Sequence, residues 1–247
     1  LLFSLESLGM SSSYLGVFRE FIRKPHGIVF ITGPTGSGKT TTLYACLNEI
    51  NTPERKIITI EDPIEYEMEG ITQIQVSPEI GLDFAKGLRS TLRHDPNVVM
   101  VGEVRDLETA EIAIRASLTG HLVFSTLHTN DAASGVTRLI DIGVEPYLVA
   151  SSLEAIIAQR LVRTICPDCK KKDDGNAELA ARIAEDLSLP SAAGVEMYRG
   201  SGCERCNLTG FFGRTAIYEV LLLDGATRSL ITKKSSSNEL KRQAMKA

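Results

Sequence analysis

No stretch of this 247-residue chain stays apolar for the roughly 20 residues that a membrane-spanning helix needs. A basic excess is missing too: 27 Lys and Arg stand against 31 Asp and Glu, a net charge of −4. Binders of nucleic acid usually carry a basic face, so that balance argues against nucleic acid as the main partner. Aromatics make up 6% of the residues and tryptophan is absent. No interleaving of aromatic and basic residues suggests a single-strand platform. Leu1-Leu2-Phe3-Ser4 does not read as a secretory leader, having neither a basic start nor a cleavage region. The lack of an initiating Met, and of a clear C-terminal cap, gives the expectation of a piece of a longer protein. Cysteines number only five, which in an intracellular-looking enzyme points to metal or free thiols rather than disulfides. What remains is 43% hydrophobic and 23% charged, the composition of an ordinary globular protein with room for one large domain and a small one.

The chain is organised around Gly33-Pro34-Thr35-Gly36-Ser37-Gly38-Lys39-Thr40, followed by Thr41. This is the phosphate-loop pattern G-x-x-x-x-G-K-[ST] without a gap. Ile28 to Thr32 before it reads as a buried strand, and Leu43, Leu47 and Ile50 after it fall at helical spacing. The glycines let successive N–H groups point at one anion, and the helix start adds its positive end. Lys39 then reaches the β- and γ-phosphates of a nucleoside triphosphate, and the Thr40 hydroxyl ligates Mg²⁺.

Further strands carry acids at their tips. Lys56 to Ile60 ends in Glu61-Asp62-Pro63-Ile64-Glu65, three carboxylates suited to orienting a water or a hydrated magnesium. Val98 to Val101 leads to Gly102-Glu103, where the second nucleotide motif usually has an Asp before the Glu. Glu103 is therefore the candidate to polarise the attacking water. Leu122 to Leu127 ends at His128, a candidate γ-phosphate sensor. Asp106 is placed to cap the helix that follows Glu103. Ile71 to Val76 alternates and reads as a half-exposed edge strand, part of a hairpin. Phe84 to Leu92 reads as a helix with Arg89 and Arg93 on one face; an arginine facing a neighbour's nucleotide would be an arginine finger. Residues from Ala132 to about Ile165 read as helical, broken at Pro146.

Cys166-x-x-Cys169 and Cys203-x-x-Cys206 match a four-thiolate structural zinc site, with Cys46 apart from them as a small core residue. The expected class is α/β: a RecA-like or Rossmann-like domain with a mostly parallel sheet, a small tetracysteine zinc-binding insertion and C-terminal helices. The expected division is an opening segment with a helix over 1–26, the nucleotide-binding core over 27–165, the zinc subdomain over 166–212 and a mostly helical segment over 213–247.

Taken together, these residues resemble the secretion ATPase family of the type II secretion and type IV pilus machines. The resemblance rests on Gly33–Thr40, on Thr59-Ile60-Glu61-Asp62-Pro63-Ile64-Glu65 and on Val99-Met100-Val101-Gly102-Glu103-Val104-Arg105-Asp106. It continues through Thr119-Gly120-His121 to His128-Thr129-Asn130, the run Ala158-Gln159-Arg160-Leu161-Val162-Arg163, and the four cysteines. It implies an ATPase working as a homo-hexamer, cytoplasmic and peripheral on the inner membrane, docked on the platform proteins of that membrane. It implies Glu103 as the catalytic glutamate, with Glu61, Asp62 and Glu65 assisting at water and metal. His128 would sense the γ-phosphate, and Arg93 or Arg105 would act across subunits. The Gly102 departure is normal in this family. Ala116-Ser117-Leu118-Thr119-Gly120 and Val144-Glu145-Pro146-Tyr147 look more like the type II secretion branch, which drives pseudopilus assembly and protein export, than the pilus-extension branch. Arg93-His94-Asp95-Pro96-Asn97 stands where the family more often has Arg-Gln-Asp-Pro-Asp. A pilus-extension ATPase, a nucleic-acid translocase and a nucleotide-gated scaffold remain the alternatives.

Overall fold

The structure is a computed structural model that describes residues 4–173, 175, 177–187, 189–191 and 195–246. It divides into two compact units, one formed by Leu161–Thr215, the other by the residues up to Arg160 together with those from Ala216 onward.

The larger unit is built on strands β1 (Gly27–Thr32), β2 (Ile57–Glu61), β3 (Thr72–Gln75), β4 (Val98–Val101), β5 (Leu122–Leu127), and parts of β6 (Leu153–Ile165) and β9 (Phe211–Leu222). They form a seven-stranded sheet in the order β3-β2-β4-β5-β1-β6-β9. The pairs β1–β5, β1–β6, β2–β3, β2–β4 and β4–β5 are all parallel. Strands β1, β4 and β5 are buried along their whole length, which is why each reads as a continuous apolar run. Their side chains alternate between two cores. Ile28, Phe30 and Val123 face one, with Ile114 and Val136 from helices α4 (Leu107–Leu118) and α5 (Ala132–Asp141). Val29, Ile31 and Phe124 face the other, with Phe18 and Phe21 of α1 (Ser12–Ile22) and Leu43 and Leu47 of α2 (Lys39–Ile50).

Aspartates start several helices by accepting the first free N–H groups. Asp83 caps α3 (Phe84–Thr91), Asp106 caps α4, and Asp131 caps α5. Among the described residues no helix is long and apolar enough to cross a membrane.

Two expectations need correction. The helical reading of 132–165 holds only as far as α6 (Pro146–Ser152); from Leu153 onward the chain is β6, lying parallel to β1. Its first half is buried on both faces, so an apolar run without alternation was available to either structure. Residues 72–75 do form an edge strand, but β3 runs parallel to β2 rather than returning as a hairpin. The segment 213–247 opens within β9 and continues as α8 (Gly225–Thr232) and α9 (Ser237–Ala244).

In the smaller unit, β7 (Lys170–Lys172) and β8 (Tyr198–Gly200) form an antiparallel ribbon, and α7 (Ala177–Asp186) lies between them in sequence.

Candidate functional site

In a parallel sheet the carboxyl ends of all strands reach one edge, and ligands gather there. Here that edge collects Gly33 after β1, Glu61 and Asp62 at β2, Glu103 after β4 and His128 after β5. All of these except Gly33 border a cleft of about 450 Å³, together with Gly36, Gly38, Lys39, Thr40, Thr41 and Glu65.

The phosphate loop turns on Gly33, Gly36 and Gly38, whose φ values of 145°, 78° and 85° suit glycine. At Gly33 a Cβ would also lie 2.4 Å from the carbonyl oxygen of Gln159. Lys39 opens α2, and its Nζ donates to the carbonyls of Gly33 at 2.9 Å and Pro34 at 3.2 Å. Burial pushes the Lys39 ammonium below its usual pKa range, while Glu103 pulls in the opposite direction. Ser37, inside the loop, is held from β6: Gln159 Nε2 donates to its carbonyl, and Gln159 Oε1 accepts the Thr42 hydroxyl.

Across the cleft, the Glu103 side chain is largely buried, and each of its oxygens has a nitrogen-bearing side chain beside it. Arg105 pairs with Oε1, and His128 Nε2 lies 3.3 Å from Oε2. The turn carrying Glu103 is pinned to β5, because the Thr126 hydroxyl donates to the Gly102 carbonyl at 2.7 Å. Gly102 leaves room for its neighbours: a Cβ there would lie 3.3 Å from the Ile60 carbonyl and 3.4 Å from the Phe84 ring. The His128 turn is anchored in turn to β1, where Thr32 and Thr129 share a hydroxyl pair at 2.8 Å.

The three acids at β2 differ in setting. Glu61 is buried and accepts from Thr59, Gln73 and Tyr44, whereas Asp62 and Glu65 are exposed on the rim. Thr40, Asp62, Glu65 and Glu103 supply hard oxygen donors, the type that magnesium takes. Arg93 is exposed on the turn Leu92–His94 and does not border the cleft. Nearby, Asn97 Oδ1 accepts the Lys56 N–H at 2.7 Å.

The smaller unit gathers the four thiols of Cys166, Cys169, Cys203 and Cys206 within 4.8 Å of one another. Neighbouring sulfurs are separated by 3.7 Å (166–203), 3.9 Å (169–206) and 3.7 Å (203–206). Four Zn–S bonds of about 2.3 Å in a tetrahedron put sulfurs roughly 3.8 Å apart, whereas a disulfide needs about 2.05 Å. The donor set therefore fits zinc. Burial pushes the Cys206 thiol up, but N–H groups of Cys203 and Gly210 on its sulfur outweigh this and bring it down to about 6. Cys46 stands apart in α2, where burial pushes its thiol up.

The family described as Type II/IV secretion system protein matches residues 1–247. The chain belongs to that family. It is 55% identical over 227 residues to the type II secretion system ATPase E of Vibrio cholerae, covering 92% of this chain and 44% of that protein. It is 49% identical to the type IV pilus assembly ATPase PilB of Thermus thermophilus, covering 96% of this chain and 26% of that one. Among solved structures, the pilus retraction motor PilT with bound ADP is similar at a TM-score of 0.69 and 34% identity, over 98% of this chain and 58% of that one. The chain thus spans less than half the length of these curated relatives.

In this secretion-family chain, the sequence motifs and the cleft largely coincide. Tyr44, Thr126 and Gln159 were missed as site residues. Tyr44 and Thr126 sit inside apolar runs, where a hydroxyl is indistinguishable from core filling. Gln159 had a signal, a lone amide in an apolar run, but its meaning depended on β6 lying beside β1.

Proposed function

We propose that this chain is the ATP-hydrolysing part of a type II secretion motor, powering pseudopilus assembly and the export of folded proteins. The observation that carries the reading is the facing of Lys39, on its phosphate loop, and Glu103 across one cleft. Lys39 and the N–H groups at the start of α2 hold the phosphates and offset their charge. Glu103 accepts the proton of the water that attacks the γ-phosphorus. His128, on the same carboxylate, links the presence of the γ-phosphate to the β5 turn. Thr40, with Asp62 and Glu65, would hold magnesium, which neutralises phosphate charge when bound. The zinc site is structural, since all four positions are protein thiolates.

The relatives' names support the secretion role, and the family resemblance of the sequence motifs carries the rest of the reading. The working form is a homo-hexamer, cytoplasmic and peripheral on the inner membrane, held by platform proteins there. Arg93, exposed and outside the cleft, or Arg105 would act across subunits. The 49% identity to a pilus assembly ATPase keeps pilus extension as the second reading.

The test is Glu103→Gln in the full-length hexamer. Phosphate release should fall at least about 100-fold while ADP still binds; hydrolysis at the wild-type rate would remove Glu103 from its role. Lys39→Ala in the source cell separates the two readings, by loss of secreted enzymes or loss of pili.

A further inference from the structure

We propose that Tyr44 is a positioning residue that locks the acidic loop after β2 to the phosphate-loop helix, with Glu61 as its anchor rather than a ligand of metal or water. The inference rests on the nucleotide-hydrolysing reading of the cleft.

Tyr44 lies in α2 five residues beyond Lys39, with its side chain buried. Its hydroxyl donates to Glu61 Oε2 and accepts the N–H of Glu65 at 3.3 Å. Burial, and then the bond to Glu61, push its phenol well above the usual range, so it stays a donor. Glu61 itself is 2% exposed. Its Oε1 accepts from the Thr59 hydroxyl at 2.5 Å and from Gln73 Nε2 at 3.0 Å. Each oxygen of this buried carboxylate thus already has a protein donor.

The same cluster shapes the loop. Gln73 Nε2 also donates to the Tyr66 carbonyl at 3.0 Å, and Gln73 Oε1 accepts the Met68 N–H at 2.7 Å. Gln75 Oε1 accepts the Ile64 N–H at 3.3 Å. The backbone from Ile64 to Met68 is therefore tied from one side by β3 and from the other by Tyr44. Asp62 and Glu65 are left exposed at the rim of the cleft. The loop presents two carboxylates, and Tyr44 sets their distance from the helix that begins at Lys39.

The two jobs separate in measurement. Gripping the nucleotide phosphates belongs to the phosphate loop, while placing Asp62 and Glu65 bears on magnesium and on the attacking water. In the full-length protein, Tyr44→Phe removes one oxygen and keeps the ring. A hydrogen bond to a charged group is worth about tenfold in an equilibrium. The magnesium concentration giving half-maximal hydrolysis should therefore rise about tenfold and kcat should fall by a similar factor. Binding of a fluorescent ADP in EDTA should stay within about twofold of wild type.

Glu61→Gln keeps the shape and serves as the second variant should Tyr44→Phe fold poorly. It should show the same split, and the double variant should lose no more than the worse single one, because the two residues act as a unit. Wild-type magnesium dependence in Tyr44→Phe would overturn the proposal. So would a Glu61→Gln enzyme as dead as Glu103→Gln, since Glu61 would then be acting on metal or water directly. If the wild-type hexamer hydrolyses no ATP, the functional reading fails on its own. The magnesium dependence of ADP binding in the variants still decides the role of Tyr44.

Discussion

Gln159 Nε2 lies 2.9 Å from the carbonyl oxygen of Ser37, a bond across 122 residues of sequence that fastens the phosphate loop to β6. The other end of the amide takes the Thr42 hydroxyl at 2.8 Å, and Gln159 is itself buried. Its main-chain carbonyl packs against Gly33, so one residue touches the loop at its start, its crest and the helix beyond.

Replacing Gln159 with Leu keeps the bulk and strands two buried polar groups. Each unpaired group costs about 1–3 kcal/mol. We expect a loss of about 2–6 kcal/mol in stability and at least a tenfold weaker hold on ADP, with the zinc content unchanged. Calorimetric titration with ADP and a thermal melt read both. Unaltered ADP affinity would show that the loop keeps its shape without Gln159.

Gly102→Asp would restore the residue more usual in a nucleotide-binding strand tip. Here its Cβ would press on the Ile60 carbonyl and the Phe84 ring. Strands β2 and β4 are joined at this point, since the Gly102 N–H donates to the Ile60 carbonyl at 2.8 Å. The added side chain should cost about 1–3 kcal/mol by overpacking and should lower hydrolysis, because Glu103 is the next residue. A variant as stable and active as wild type would show that Phe84 yields freely.

The four thiols should hold one zinc per chain, measurable by elemental analysis of protein purified without added metal. Cys206→Ser should lose that zinc. Structural zinc binding is worth about 10–16 kcal/mol in small zinc-finger peptides, so the smaller unit should melt early or become open to proteases. ADP binding at the phosphate loop, which lies in the other unit, should persist. Purified chains free of zinc with an unchanged melt would overturn the assignment.

The local chemistry was legible in the sequence wherever a residue's type and its spacing are enough. Gly33, Gly36, Gly38 and Lys39 must sit together to bind phosphate, and the paired cysteines must be two residues apart to share an ion. Asp106 announced its helix because a cap is a contact three residues long. Strands β1, β4 and β5 were legible because burial on both faces makes an apolar run without alternation. That same feature hid β6, whose run suits helix as well as strand until β1 is known to lie beside it. The settings of the acids were also beyond the sequence. Glu61, Asp62 and Glu65 look alike in order, yet one is buried among Tyr44, Thr59 and Gln73 while the others stay at the rim. Side chains from α2, β2 and β3 decide that difference. Motif chemistry depends on neighbours in the chain and is determined by the sequence. Burial and hydrogen-bond partners depend on which strands lie side by side, and only the tertiary structure decides them.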